Sequence, residues 1–269
     1  MTDFPADSTL VCAVAASPNH GQRKDGKRAD AIILHYTGMA TGEAAQELLC
    51  HAASEVSCHY LVWEDGRVTQ LVPEARRAWH AGRGVWHGET DMNSRSIGIE
   101  IVHPGHPGGQ ADLPMAPFPL RQVAAVTALC ADICERHHIE LWRLLAHSDI
   151  APARKIDPGE RFPWARLHRH GVGHFAHARR PGPAGEGLGM GDSGPYVAEL
   201  QRLLAAYGYG VPRTGVFDSA THTVVQAFQR HFRPARVDGV ADKSTLLVLR
   251  KLLAALPLEC SAGTLDASA

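Results

Sequence analysis

The sequence predicts an α/β domain with a mixed central sheet flanked by helices, followed by a small three-helix domain. Three observations carry this expectation. From residue 29 to about 168, short apolar or alternating runs interchange with helix-like spacing, as strands and helices packed on one another require. Residues 171–190 are dense in glycine and proline, including Pro181-Gly182-Pro183 and Gly185-Glu186-Gly187, which marks a linker. Residues 191–256 hold apolar residues at helical spacing and an internal repeat. The division is then an N-terminal extension over 1–28, a first domain over 29–170, the linker over 171–190, a second domain over 191–256 and a tail over 257–269.

Each element has its own signal. Residues 31–37 form a short apolar run, a strand. Residues 43–53 follow Thr41-Gly42 and have helix-forming composition. Strands over 57–63 and 67–72 are joined by Glu64-Asp65-Gly66, a hairpin turn. Over 96–102, Ile97, Ile99 and Ile101 share one face, and Ser96, Gly98 and Glu100 share the other. The isoleucine face can pack on helices; the glycine leaves room beside Glu100 for a substrate. Pro119 opens a helix to about 138, with Val123, Val126, Cys130, Ile133 and Cys134 at three-to-four spacing. In the second domain, Val197, Leu200, Leu204 and Tyr207 line one helical face. Gly215-Val216-Phe217-Asp218 aligns with Gly239-Val240-Ala241-Asp242, each a tight turn, an aspartate helix cap and an amphipathic helix.

Composition narrows the function classes. The 269 residues carry a formal net charge of −1, so no strong field draws nucleic acid or an acidic membrane. The apolar patch over 10–16 lacks a basic segment before it and makes a poor secretory signal. No run approaches the roughly 20 apolar residues of a spanning helix. A cytoplasmic location is expected on these grounds, with a periplasmic or wall-associated one as the alternative. The six cysteines, Cys12, Cys50, Cys58, Cys130, Cys134 and Cys260, form no CxxC pair and read as reduced thiols; a Cys50–Cys58 disulfide is the alternative for an exported chain. Seventeen histidines admit metal binding, but His168, His170, His174 and His177 adjoin the glycine- and proline-rich stretch and read as solvated linker.

The chemistry concentrates in His147 to Gly159. His147 and Asp157 stand ten residues apart, with Lys155 two before the aspartate. Imidazole nitrogen and carboxylate oxygen both suit zinc, and His35 in the first strand is the best third ligand. Three such ligands leave a fourth position for a water whose pKa zinc brings to ~7. Glu100 is then placed to take the water proton, and Lys155 to face the oxyanion of an amide hydrolysis. The competing readings are a hydrogen-bonded core histidine, a solvated strand glutamate and a surface lysine paired with Asp157. His80, in Ala78-Trp79-His80-Ala81-Gly82, lines the cleft or serves structure. Trp86, Asn93 and Arg95 lie in a long polar loop of the kind that contacts ligand, and Tyr36 follows His35 as a further substrate contact. Trp63, Trp79 and Trp164 read as core.

These residues resemble a family. The stretches Ile33-Leu34-His35-Tyr36-Thr37, Ser57-Cys58-His59-Tyr60, Trp79-His80-Ala81-Gly82, Ser96-Ile97-Gly98-Ile99-Glu100, His147-Ser148-Asp149-Ile150 and Lys155-Ile156-Asp157-Pro158-Gly159 are similar to those of zinc-dependent N-acetylmuramoyl-L-alanine amidases of type 2, the AmpD/AmiD group related to peptidoglycan recognition proteins. The resemblance covers most of 30–166. It implies one zinc held by His35, His147 and Asp157, with Glu100 and Lys155 catalytic and peptidoglycan or muropeptides as the partner. Non-catalytic relatives lose a ligand; this chain keeps each, so an active enzyme is expected over a wall-binding receptor. A phage-type endolysin has the same chemistry. Residues 191–253 resemble a three-helix peptidoglycan-binding domain, with Thr214 where an aspartate is usual before the glycine.

Overall fold

The structure is a computed structural model and describes residues 4–109 and 114–257; residues 1–3 and the expected tail from 258, with Cys260, lie outside the described residues. In chain order the strands are β1 (Ala13–Val14), β2 (His20–Gln22), β3 (Ala31–Tyr36), β4 (Tyr60–Val62), β5 (Val68–Gln70), β6 (Arg76–Ala78), β7 (Ser96–Ile101) and β8 (Leu144–Ala146). The helices are α1 (Gly42–Cys50), α2 (Met92–Arg95), α3 (Leu120–His137), α4 (His147–Ile150), α5 (Trp164–Arg169), α6 (Pro195–Tyr207), α7 (Ser219–Phe232) and α8 (Lys243–Ala254).

Six strands form one sheet in the order β1-β5-β4-β7-β3-β8, and β2 and β6 form a separate ribbon. The sheet is mixed: β4 and β5 are the antiparallel hairpin, and β4, β7, β3 and β8 run parallel. Part of the expected extension belongs to this fold, since β1 pairs with β5 at the sheet edge and β2 pairs with β6.

Strand alternation decides which layer covers which face. Ile97, Ile99 and Ile101, with Ile32 and Leu34 of β3, pack under Val123, Val126, Leu129, Cys130 and Ile133 of α3. Each fully buried isoleucine contributes about 1.5–3 kcal/mol. Gln122 on α3 is buried and donates its amide to the Val62 and Val102 carbonyls, tying the helix to the ends of β4 and β7. Helix α1, capped by Thr41, buries Leu49 with Cys58, Leu61, Trp63, Leu71 and Val102. Cys50 and Cys58 are free thiols, so the alternative disulfide is not formed. No helix among the described residues is long and apolar enough to cross a membrane.

Helices α6, α7 and α8 occupy the region expected as the second domain. The repeated aspartates cap as expected: Asp218 accepts from the Thr221 N–H and Asp242 from the Thr245 N–H. A second repeated device was not read from the sequence. Gln201 accepts from the Gly215 N–H and donates to the Val216 carbonyl; Gln229 does the same with Gly239 and Val240. Asp238 accepts from Gln229, and at the equivalent place the Thr214 hydroxyl accepts from Gln201, so the substituted residue keeps the hydrogen bond.

The two domains share a core. Ala31, Ile33 and Leu145 continue through Ala81, Trp86, Met92 and Ile150 into Val197, Leu200, Tyr209, Phe228 and Phe232. The connecting stretch is laid against the second domain: Ser244 donates to the Arg179 carbonyl and Arg236 to that of Gly182. His174 is half-buried and hydrogen-bonds the Tyr207 hydroxyl at 2.9 Å rather than standing free in solvent.

Candidate metal centre and its cleft

The centre forms where parallel strands end. Register pairs His35 of β3 with Glu100 of β7, and Leu34 of β3 with Ala146 of β8. His35 and His147 therefore leave the sheet side by side at its carboxyl end, where open α/β sheets place ligands. Asp157 returns to them because the Ser148 N–H donates to its carbonyl at 3.1 Å. His35 Nδ1 and His147 Nδ1 are 2.8 Å apart, and both lie against Asp157 Oδ2, at 3.1 and 3.0 Å. All three residues are buried.

Hydrogen bonding on the far side of each ring fixes which nitrogen faces this centre. His147 Nε2–H donates to the Ala81 carbonyl at 2.9 Å, so Nδ1 presents its lone pair. For His35 the constraint travels through two more side chains. The Ser96 hydroxyl donates to the Met92 carbonyl at 2.5 Å, so its oxygen accepts from His80 Nε2–H at 3.2 Å. His80 Nδ1 is then bare and accepts from His35 Nε2–H at 3.0 Å, which leaves His35 Nδ1 unprotonated. Burial, and then its histidine neighbours, hold the His80 pKa well below the ordinary value. Burial and nearby His147 hold that of His35 at about 4, so both rings are neutral near pH 7.

Three lone-pair atoms thus point at one another with no hydrogen between them. That arrangement is repulsive unless a cation sits among them, and two imidazole nitrogens with one carboxylate oxygen suit a divalent transition metal.

The group opens onto a cleft of about 340 Å³ lined also by Tyr36, Trp79, His80, Glu100 and Lys155, with Met39, Leu48 and Val56 on its apolar wall. Glu100 Oε2 is buried without a hydrogen-bond partner among the described residues. Burial, then the Asp157 charge, push the Glu100 carboxyl well above its ordinary pKa, against the pull of Lys155. Lys155 lines the cleft and forms no ion pair with Asp157 among the described residues. The Tyr36 hydroxyl lies 3.3 Å from His106 Nδ1, and burial, then Asp157, raise its pKa to about 12.

Four readings change on contact with this geometry. The space beside Gly98 is filled by His80, not left for substrate: a Cβ there would meet the imidazole Cγ at 2.4 Å. Trp79 lines the cleft, whereas Trp63 and Trp164 are core as expected. Trp86 is buried against the second domain and not available to ligand. Asn93 and Arg95 do not line the cleft; Asn93 Oδ1 accepts from the His80 and Ala81 N–H groups, and Arg95 pairs with Asp30.

Several positioning residues had no local signal in the sequence. Arg154 donates to the Ala81 and Arg83 carbonyls, bracing the loop that receives His147. Arg23, from the expected extension, donates to the Glu74, Ser94 and Ser96 carbonyls and so ties the start of β7. His59 Nδ1 accepts from the Gly98 N–H at 2.9 Å. Such contacts join segments far apart in the chain, and only Ser96, on the Glu100 face of its strand, carried a hint.

Comparison with known proteins agrees with this geometry. Residues 25–160 match the N-acetylmuramoyl-L-alanine amidase family, and residues 193–249 match a peptidoglycan binding domain. The N-acetylmuramoyl-L-alanine amidase AmiD of Escherichia coli is 36% identical over 237 residues, covering 84% of this chain and 83% of that protein. The structure of E. coli AmiD in complex with the substrate anhydro-N-acetylmuramic acid-L-Ala-D-γ-Glu-L-Lys superposes with a TM-score of 0.72 at 35% identity, covering 89% of this chain and 91% of that one. AmpDh3 from Pseudomonas aeruginosa superposes with a TM-score of 0.71 at 29% identity, covering 94% and 98%. With the amidase match spanning half of the sequence and AmiD aligned along most of both chains, this chain belongs to the N-acetylmuramoyl-L-alanine amidase family and is an enzyme of that class.

Proposed function

We propose that this chain is a zinc-dependent amidase that hydrolyses the bond between the lactyl carbonyl of N-acetylmuramic acid and the L-alanine nitrogen of the stem peptide. The observation that carries the reading is the convergence of His35 Nδ1, His147 Nδ1 and Asp157 Oδ2 in one cleft with Glu100, whose buried Oε2 has no hydrogen-bond partner among the described residues. Those three atoms would hold the metal, and zinc supplies Lewis acidity toward water and the scissile carbonyl. Glu100 accepts a proton from the attacking water, whose oxygen bonds to the carbonyl carbon. It returns that proton to the alanine nitrogen as the carbon–nitrogen bond breaks, leaving a lactyl carboxylate and a free amine. Lys155 offsets the negative charge that develops on the carbonyl oxygen. Tyr36 stays a neutral hydroxyl and faces the substrate, while Trp79 and the apolar wall receive the peptide methyl groups.

The site is the carboxyl end of the sheet in a catalytic domain assigned to 29–170, and the domain assigned to 191–256 holds wall polymer or fragments. That second domain supports a wall-facing location over the cytoplasmic one, which cell fractionation checks. Incubation of the zinc-loaded protein with muropeptides, followed by mass analysis, is expected to show free stem peptide. Intact muropeptide after prolonged incubation with metal bound would refute the assignment.

A further inference from the structure

Asp149 is fully buried two residues beyond His147, and its carboxylate takes donors from both domains. Its Oδ2 accepts from the Ala146 N–H at 2.8 Å and from His231 Nδ1–H at 2.6 Å; its Oδ1 accepts from the Tyr209 hydroxyl at 2.7 Å. Tyr209 follows α6 and His231 lies in α7, so two of the three donors come from the second domain. Both rings are themselves fixed. His231 stacks on Trp164 of α5 with centroids 3.7 Å apart, and Tyr209 meets the Trp86 ring edge-on at 5.1 Å.

A second route reaches the same histidine from its ring side. Trp86 packs so closely on Gly208 that a Cβ there would come within 2.6 Å of the indole, and the His87 N–H donates to the Gly208 carbonyl at 2.8 Å. The same loop carries Ala81, whose carbonyl receives His147 Nε2–H, and the Val85 N–H donates to the Ile150 carbonyl at 2.8 Å. Thus α4, which bears the His147 backbone, and the loop over 81–87, which receives its ring, are both gripped by the second domain. A buried carboxylate without its donors draws water or moves. Removal of Tyr209 or His231 donors therefore loosens the turn that aims His147.

We propose that the second domain is a structural part of the metal centre, with Tyr209 and His231 acting through Asp149 as positioning residues for His147. The inference rests on the assignment of His147 as a metal ligand. Its test is the zinc dissociation constant of the full chain by competition with a fluorescent chelator, together with the visible absorption spectrum of the cobalt-loaded protein. Tyr209→Phe and His231→Phe keep an aromatic ring and delete one donor each. Each is expected to weaken zinc binding about tenfold, the lower end for residues behind the ligands, and to shift the cobalt bands. If His231→Phe fails to fold, Tyr209→Phe, which loses one oxygen atom, carries the test. His147→Ala separates the two claims. Full tight zinc binding by that variant overturns the ligand assignment and this inference with it. Loss of tight binding there, with wild-type affinity and spectra in Tyr209→Phe and His231→Phe, overturns the clamp alone. A lower melting temperature with unchanged affinity and spectra also overturns it, since that marks a role in folding only.

Discussion

Replacing Gly98 with alanine should reach the metal centre without touching any proposed ligand. The new Cβ would sit 2.4 Å from His80 Cγ, where ordinary contact begins at 3.4 Å, so the imidazole must give by about 1 Å. The strand cannot yield instead: β7 is paired on both sides, and the Gly98 N–H is committed to His59. A displacement of that size breaks the 3.0 Å contact between His80 and His35 and frees the His35 ring to turn. Zinc affinity should fall about 10–100-fold through loss of a residue behind the ligand. Turnover (kcat/KM) on muropeptide should fall about 100-fold, as a misplacement near 1 Å costs. Overpacking should destabilise the fold by about 1–3 kcal/mol, enough to see in a melt and too little to unfold it. Chelator competition, amidase kinetics and thermal melts measure the three effects. Wild-type zinc affinity and turnover in a Gly98→Ala protein with the expected drop in stability would refute the claim that His80 orients His35.

Three further outcomes are expected. Glu100→Gln should keep zinc and lose about 10²–10⁴-fold in turnover, the worth of a general base, so retained activity removes Glu100 from its role. Removal of metal by chelation should abolish cleavage, and zinc at about 1,000 times its dissociation constant should restore about 4 kcal/mol of stability, read as a shift in melting temperature; an unchanged melt argues against a built site. Glu74 tests the electrostatics away from the cleft. Its buried carboxylate accepts from Tyr60, Arg136 and His137; burial opposes its ionisation, but these partners hold its pKa down at about 2 against 4.5. A depressed folded-state pKa means that the unfolded chain binds the proton first. The stabilisation is therefore full above pH 4.5 and is lost as pH falls toward 2, about 3 kcal/mol at pH 7 and about 1.4 kcal/mol at pH 3. The stability gap between wild type and Glu74→Gln in urea should shrink by about 2 kcal/mol between pH 7 and pH 3; a gap independent of pH refutes the linkage.

The parts of the molecule legible in the sequence are those written in short-range pattern. The isoleucine stripe of β7 and the cap aspartates follow local periods, and both stand where the pattern put them. Likewise the resemblance singled out His35, His147 and Asp157, which the fold does gather. Tertiary contacts were opaque for a physical reason. Trp86 looked like a ligand contact because it sits in a polar loop, and its packing against Tyr207, Gly208 and Tyr209, more than a hundred residues on, explains its burial. The two residues of β1 are too few to show a period, and the sheet edge they complete is set by β5. The stretch over 171–190 had linker composition, yet side chains of Arg236 and Ser244 hold its carbonyls, which composition does not encode. The relay from Ser96 to His35 crosses three segments, so no single segment displayed it.

The continuous apolar core between the sheet and α6–α8 has a consequence for how such an enzyme works along a polymer. Flexibly joined modules search a volume set by the length of their connection. Here the sheet and α6–α8 are joined by one continuous apolar core rather than by the connecting stretch alone. Under the proposed role of the second domain, the distance from held polymer to cleaved stem is then set by protein dimensions rather than by the length of the connecting stretch.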